Sequence, residues 1–327
     1  MDEQNIFEAP GAELTELANA VDMVRKEVRK VIVGQNKMID LLIAGIFCGG
    51  HVLIEGVPGI AKTLSARLLA KAIDAEFSRI QFTPDLMPTD VLGSSIFNPK
   101  TTEFTFRRGP IFSNLILIDE INRSPAKTQA ALLEVMEERK VTVDGVTYNM
   151  EFPFFVIATQ NPIEQEGTYK LPEAQLDRFI FRIRVTYPEL EEEKMILHKF
   201  SEDFNNTQKD QIAPVLGRDL LRTCMQIVEK IHIKDELLNY IAEIVHKTRN
   251  HGDLFLGASP RASLNIMKAS KAIAAMQGRN FVTPDDIHFV AHPVLNHRII
   301  LSPDKELEGY DTESVVQAII ESIDVPR

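Results

Sequence analysis

Tryptophan is absent from this chain, and cysteine nearly so: Cys48 and Cys224 are the only two among 327 residues. Two thiols exclude a disulfide framework and suit a reducing compartment. Long apolar runs are lacking too. The longest, around residues 41–54, is broken by Gly49-Gly50-His51, short of the roughly 20 residues that a spanning helix needs. The amino terminus, Met1-Asp2-Glu3-Gln4-Asn5, is acidic where a signal peptide is basic, so a cytoplasmic protein is expected. Positive charge is also scarce. With 36 Lys+Arg against 47 Asp+Glu the net charge is −11, which argues against nucleic acid as the main partner, although Arg107-Arg108 could contact phosphate locally. Internal repeats and low-complexity tracts are missing, and the first dozen residues are expected to be loose.

What remains is an ordinary globular composition, 44% hydrophobic and 25% charged, in a chain long enough for about two domains. The first half alternates short apolar runs with helical patterns, the rhythm of βαβ units. Strands are expected at 51–55, 79–82, 115–119, 154–158 and 181–185. Three of these are unbroken hydrophobic runs, as in parallel strands covered on both faces. Two hairpins interrupt the series, near 94–108 and 139–150, the second turning at Asp144-Gly145. After Tyr187-Pro188 the pattern becomes helical, with amphipathic stretches at 189–204, 218–231, 235–250, 260–276 and 283–291. The last opens on Thr283-Pro284-Asp285-Asp286, an N-cap, a first-turn proline and acids for the helix dipole. The expected division is 1–187 and 188–327.

Directly after the first strand stands Gly56-Val57-Pro58-Gly59-Ile60-Ala61-Lys62-Thr63, running into a helix at Leu64. Strand, glycine-containing loop and helix together make a phosphate cradle. Loop N–H groups and the helix N-terminus wrap the phosphates, Lys62 reaches the β and γ oxygens, and Thr63 ligates Mg²⁺. Ala61 departs from the glycine of the strict pattern. At a helix start alanine can adopt the right-handed conformation, so the change is modest unless φ must be positive. Leu115-Ile116-Leu117-Ile118-Asp119-Glu120 is an apolar strand ending in two carboxylates, where an open parallel sheet puts its ligand chemistry. Asp119 suits Mg²⁺, and Glu120 suits a general base polarising the attacking water.

Further segments extend the pattern. Val33-Gly34-Gln35, Ala158-Thr159-Gln160-Asn161-Pro162, Leu176-Asp177-Arg178-Phe179 and Ser259-Pro260-Arg261-Ala262 resemble the motif series of AAA+ ATPases. Glu120-Ile121-Asn122-Arg123-Ser124-Pro125, Leu132-Leu133-Glu134-Val135-Met136-Glu137-Glu138, Gln165-Glu166-Gly167-Thr168-Tyr169 and Leu171-Pro172-Glu173-Ala174-Gln175 are similar to the MoxR family. In that family the position of Ala61 commonly departs from glycine, and the two hairpins match the insertions of its clade.

The resemblance implies an α/β fold, an AAA+ P-loop αβα sandwich around a five-stranded parallel sheet, followed by an all-α lid. It implies Mg·ATP bound by Val33, Gly34 and Gln35 together with Gly56 through Leu64. Asn161 would be the first sensor, unless it merely caps the turn before Pro162. Arg178 would be an arginine finger donated to a neighbouring subunit, or else a local ion pair with Asp177. Arg261 would be the second sensor, closing the lid on ATP in cis; Arg123 is left open between interface and sensor. The implied protein is a ring, a hexamer, with chaperone-like work on a client, in metal insertion or complex assembly, often beside a von Willebrand factor A-domain partner. A magnesium-chelatase-like motor subunit and a slow-turnover ATP-dependent scaffold are the alternatives. His288, His292 and His297 lack the glutamate of a zinc-protease helix, and packing or exposure is the expected state of all three.

Overall fold

The computed structural model describes residues 11–100, 102–162, 167–202 and 207–326. The first ten residues, expected to be loose, and the 203–204 end of the first expected lid helix lie outside them. In chain order the strands are β1 (His51–Gly56), β2 (Phe77–Gln81), β3 (Gly93–Asn98), β4 (Glu103–Arg108), β5 (Leu115–Asp119), β6 (Lys140–Val143), β7 (Val146–Asn149), β8 (Phe155–Gln160), β9 (Phe179–Val185), β10 (Leu254–Leu256) and β11 (Ile300–Leu301). Five of them form one parallel sheet in the order β2-β5-β8-β1-β9. The three unbroken apolar runs are its interior strands β5, β8 and β1. The edges β2 and β9 keep polar positions, Arg79, Gln81, Arg182 and Arg184, because an edge strand is less completely covered.

Side chains alternate across the sheet, so each strand feeds two apolar layers. On one face Val52, Ile54, Leu117 and Ile157 are buried under α1 (Ala12–Arg29), α2 (Asn36–Phe47) and α3 (Lys62–Ala72). On the other, Ile116, Ile118 and Val156 meet Leu132, Leu133 and Met136 of α5 (Ala126–Glu138), with α4 (Pro88–Leu92) alongside. After α6 (Glu173–Leu176) and β9 the chain is helical: α7 (Leu190–Glu202), α8 (Arg218–Lys230), α9 (Asp235–Arg249), α10 (Pro260–Met276), α11 (Pro284–Leu295), α12 (Pro303–Leu307) and α13 (Thr312–Glu321). The expectation of an all-α region needs one amendment, since β10 and β11 pair antiparallel within it. Helix α11 also runs on past Ala291, carrying Pro293 inside it. Among the described residues no helix is long and apolar enough to cross a membrane.

The two hairpins, β3–β4 and β6–β7, stand apart from the main sheet. Asp144 and Gly145 both have positive φ, 50° and 78°, as a tight hairpin turn requires. Phe106 stacks on Tyr148 at 4.6 Å between ring centroids, and Phe112 meets both rings edge-on. The hairpins are therefore one packed unit. Phe97 and Phe104 pair at the exposed end of the first.

Arg298, in the turn after α11, ties the helical region to the sheet. Its buried guanidinium pairs with Asp177 Oδ1 at 2.7 Å and donates to the carbonyls of Asp177, Phe179, Ile180 and Val294. Burial lowers its pKa to about 10, with Asp177 opposing the shift. His297 packs beside it against the Phe179 carbonyl, while His288 meets Tyr240 Oη and His292 meets Gln317. Burial also pushes the Cys48 and Cys224 thiols up, to about 12 and about 11, which leaves both inert as nucleophiles near neutral pH. Asp177→Asn leaves a buried cation facing only carbonyls. The expected cost is about 3 kcal/mol, the low end for a broken buried pair because Asp177 is partly exposed, and urea unfolding measures it.

Candidate active site

Strand β1 is buried along its whole length and delivers the phosphate loop at its carboxyl end. A Cβ on Gly56 would meet the Ile60 side chain at 2.5 Å and the Val185 carbonyl at 2.7 Å, so glycine is required where the loop leaves the strand. Gly59 has φ 87° and Ala61 φ 60°. The modest-change reading of Ala61 is thereby corrected: its backbone is left-handed, and the methyl group is tolerated at a cost. Helix α3 begins at Lys62, so the positive end of its dipole faces the loop. Lys62 Nζ donates to the Gly56 carbonyl at 2.6 Å, which holds the ammonium across the loop's mouth.

The carboxylates lie two strands away, at the end of β5. Asp119 is the node of the site. Its Oδ1 accepts from Thr159 Oγ1 at 2.6 Å, and its Oδ2 accepts from Arg79 Nη2 at 2.7 Å and from Thr63 Oγ1 at 3.3 Å. Glu120 sits in a left-handed turn, φ 59°, its N–H on Thr159 Oγ1. Its carboxylate accepts from Gln81 Nε2 at 2.7 Å, and Arg123 Nε stands 3.1 Å away. Asn161 is buried at the end of β8, the strand between β5 and β1, hence between the carboxylates and the loop. Thr63 and Asp119 offer the hard oxygen donors that magnesium prefers, and the donor set fits that ion.

Arg79, Gln81 and Thr159 are the site residues that sequence reasoning did not single out. Their signal was present. In Arg79-Ile80-Gln81 two polar residues alternate about an apolar one, and register puts Gln81 opposite Asp119.

Val33, Gly34 and Gln35 form a strap before α2. Gly34 and Gln35 have φ 69° and 55°, and a Cβ on Gly34 would collide with the Glu192 carboxylate of α7. Gln35 Nε2 reaches the Thr186 carbonyl at 3.3 Å. A cavity of about 300 Å³ opens beside this strap, lined by Met38, Arg184, Tyr187 and His292 among others.

Arg178 and Arg261 are elsewhere. Arg178 precedes β9, whose Phe179 pairs with His51, so it stands at the amino-terminal edge of the sheet. It does not pair with Asp177: Nη1 donates to the Leu133 carbonyl at 2.8 Å and lies 3.7 Å from Glu137. Arg261 holds the other oxygen of Glu137 at 3.0 Å and lies 3.9 Å from Asp177. Both line a cavity with Gly49, His51 and Arg139. The six residues of β1, about 17 Å of strand, separate that edge from the phosphate loop. The expected cis contact of Arg261 with ATP is therefore corrected, because the start of α10 lies at the end of the sheet opposite its own phosphate loop, although α13 reaches Arg184 at the loop's end. Gln165 and Glu166 lie outside the described residues.

Comparison with known proteins shows the family. The model of the ATPase family associated with various cellular activities (AAA) matches residues 51–181, and that of the AAA lid domain matches 246–319. Chaperone MoxR1 of Mycobacterium tuberculosis is 42% identical over 98% of this chain and 87% of its own. The chain belongs to the MoxR family of AAA+ ATPases. Another relative, the uncharacterized protein YeaC of Bacillus subtilis, is 47% identical over 92% of this chain and 93% of its own. A crystal structure from Cytophaga hutchinsonii superposes with a TM-score of 0.89 at 43% identity, covering 96% of this chain and 97% of that one. The MoxR-family chain is thus a nucleotide-binding ATPase of chaperone-like kind. In it Ala61→Gly relieves a left-handed alanine, and the expected gain is about 1 kcal/mol in the midpoint of thermal or urea unfolding.

Proposed function

We propose that this MoxR-family ATPase works as a cytoplasmic ring, a hexamer, in which each ATP site is completed by arginines of the next copy. The observation that carries this reading is the separation just described. Lys62, Asp119, Glu120 and Asn161 gather at the carboxyl end of the sheet, while Arg178 and Arg261 share Glu137 at the other end. A single copy cannot bring both sets to one phosphate. A head-to-tail contact can, and contacts of that kind close into rings.

Within a site the loop from Gly56 to Leu64 holds the phosphates, and the base lies toward Val33–Gln35 and Tyr187. Thr63 and Asp119 would hold magnesium, which would supply charge neutralisation for the transferred phosphate. Glu120, steadied by Gln81 and Arg123, takes the proton of the attacking water, and Asn161 orients that water. Arg178 of the neighbouring copy, with Arg261 beside it, stabilises the charge on the transferred phosphoryl group. Residues 1–187 serve as the nucleotide-binding domain and 188–327 as the lid. Changes in their angle would move the joined hairpins, with Phe97 and Phe104 foremost, against a client. The work is chaperone-like remodelling, metal insertion or assembly of partner complexes, with a von Willebrand factor A-domain protein as the expected partner.

Two sets of variants test this reading. Lys62→Ala is expected to abolish ATP binding. Glu120→Gln is expected to bind ATP and lose turnover about 10²-fold, measured by phosphate release; normal turnover in that variant removes Glu120 from the base role. Arg178→Ala is expected to bind ATP while hydrolysing about 10³-fold more slowly. Mixing it with Glu120→Gln protein is expected to recover activity, since some sites then pair an intact base with an intact finger. No recovery in mixed assemblies overturns the trans finger.

A further inference from the structure

Helix α7 packs lightly on its own subunit. None of its described side chains is buried, and the half-buried ones, Glu192, Ile196 and Lys199, share one side of the helix. A 13-residue helix is marginal alone and draws its stability from packing an apolar face. Part of that face points outward. Leu190 and Leu197, two turns apart and opposite the half-buried row, are 68% and 66% exposed, with Tyr187 exposed in the turn before them. Around them Glu189, Glu191 and Glu193 outnumber Lys194, which pairs with Glu191 at 2.6 Å, so the surface is acidic on balance.

A second apolar patch lies at the other edge of the molecule. Phe255 is 77% exposed in β10, beside Leu256, and Leu264 is exposed on α10. The turn that follows β10 runs into the start of α10, where Ser259 reaches Asp177 at 3.2 Å, so this patch adjoins Arg178 and Arg261. Its surroundings are basic on balance, with Arg249, Arg261 and Lys268 exposed against Glu137, Asp177 and Asp253. The α7 patch, in contrast, adjoins the nucleotide strap, since Glu192 packs on Gly34.

We propose that these two patches are the halves of one contact between copies of this chain, Leu190 and Leu197 of one seated against Phe255 and Leu256 of the next. The proposal rests on the ring reading above and names the surface that builds it. Two different patches on one molecule, apolar at the centre and of opposite charge at the rim, define a head-to-tail contact. The same contact carries the arginine edge of one copy to the nucleotide face of its neighbour.

Single-cysteine pairing tests it. Leu197→Cys protein is mixed with differently tagged Phe255→Cys protein in Mg·ATPγS and treated with a short bismaleimide, beside a control holding only Cys48 and Cys224. A covalent heterodimer well above the control is expected. In parallel, Leu197→Asp and Phe255→Asp are expected to raise the protein concentration needed for assembly roughly tenfold or more, read by sedimentation, with unchanged circular dichroism. Wild-type rings together with absent cross-linking and unimpaired assembly of both aspartate variants overturn this surface and leave the ring reading standing. Wild-type protein that remains monomeric with Mg·ATPγS overturns both.

Discussion

The Arg298 guanidinium, sealed between α11 and β9, pairs with Asp177 and donates to four main-chain carbonyls. A cation in that position has no water to fall back on, so every donor must find its acceptor in the fold. The consequence is directional. Asp177 precedes Arg178 and meets Ser259, which caps the helix bearing Arg261. One buried ion pair therefore anchors the start of α10 at the amino-terminal end of the sheet, and with it both arginines.

At the other end of the sheet a carboxylate plays the matching part. Asp119 gathers Arg79 from β2, Thr63 from α3 and Thr159 from β8. Thr159 also receives the Glu120 N–H, so the two neighbouring acidic residues share one hydroxyl. These contacts give the loop, the edge strand and the interior strands a common reference point. They also bring Arg79 and Arg123 into a site already holding Lys62, as polyphosphate chemistry favours in an acidic protein.

The five strands were legible because burial on both faces demands unbroken apolar runs inside and permits polar positions at the edges. The hairpins were legible through Asp144-Gly145, and the phosphate loop and Asp119-Glu120 through residue types whose chemistry is local. What escaped were partners far apart in sequence: Arg79 with Asp119, Gln81 with Glu120, and Asp177 with Arg298. Strand order decides such pairs, and no local spacing reveals it. Ala61 was misread for a related reason, since residue type alone does not disclose the sign of φ. Arg261 was expected over its own ATP because chain order puts the lid after the sheet without saying at which edge it docks.

Helix α5 begins just past the Glu120 turn and carries in its last turn Glu137, the carboxylate that holds Arg178 and Arg261. Its 13 residues make a rod of about 20 Å. Packed helices slide or tilt as units rather than stretch. The rod spans the distance between the proposed hydrolysis site and the carboxylate that holds Arg178 and Arg261, so a tilt at one end is carried to the other. In the proposed ring such rods would act as a gear train, the timing of each site written into the reach of the one before.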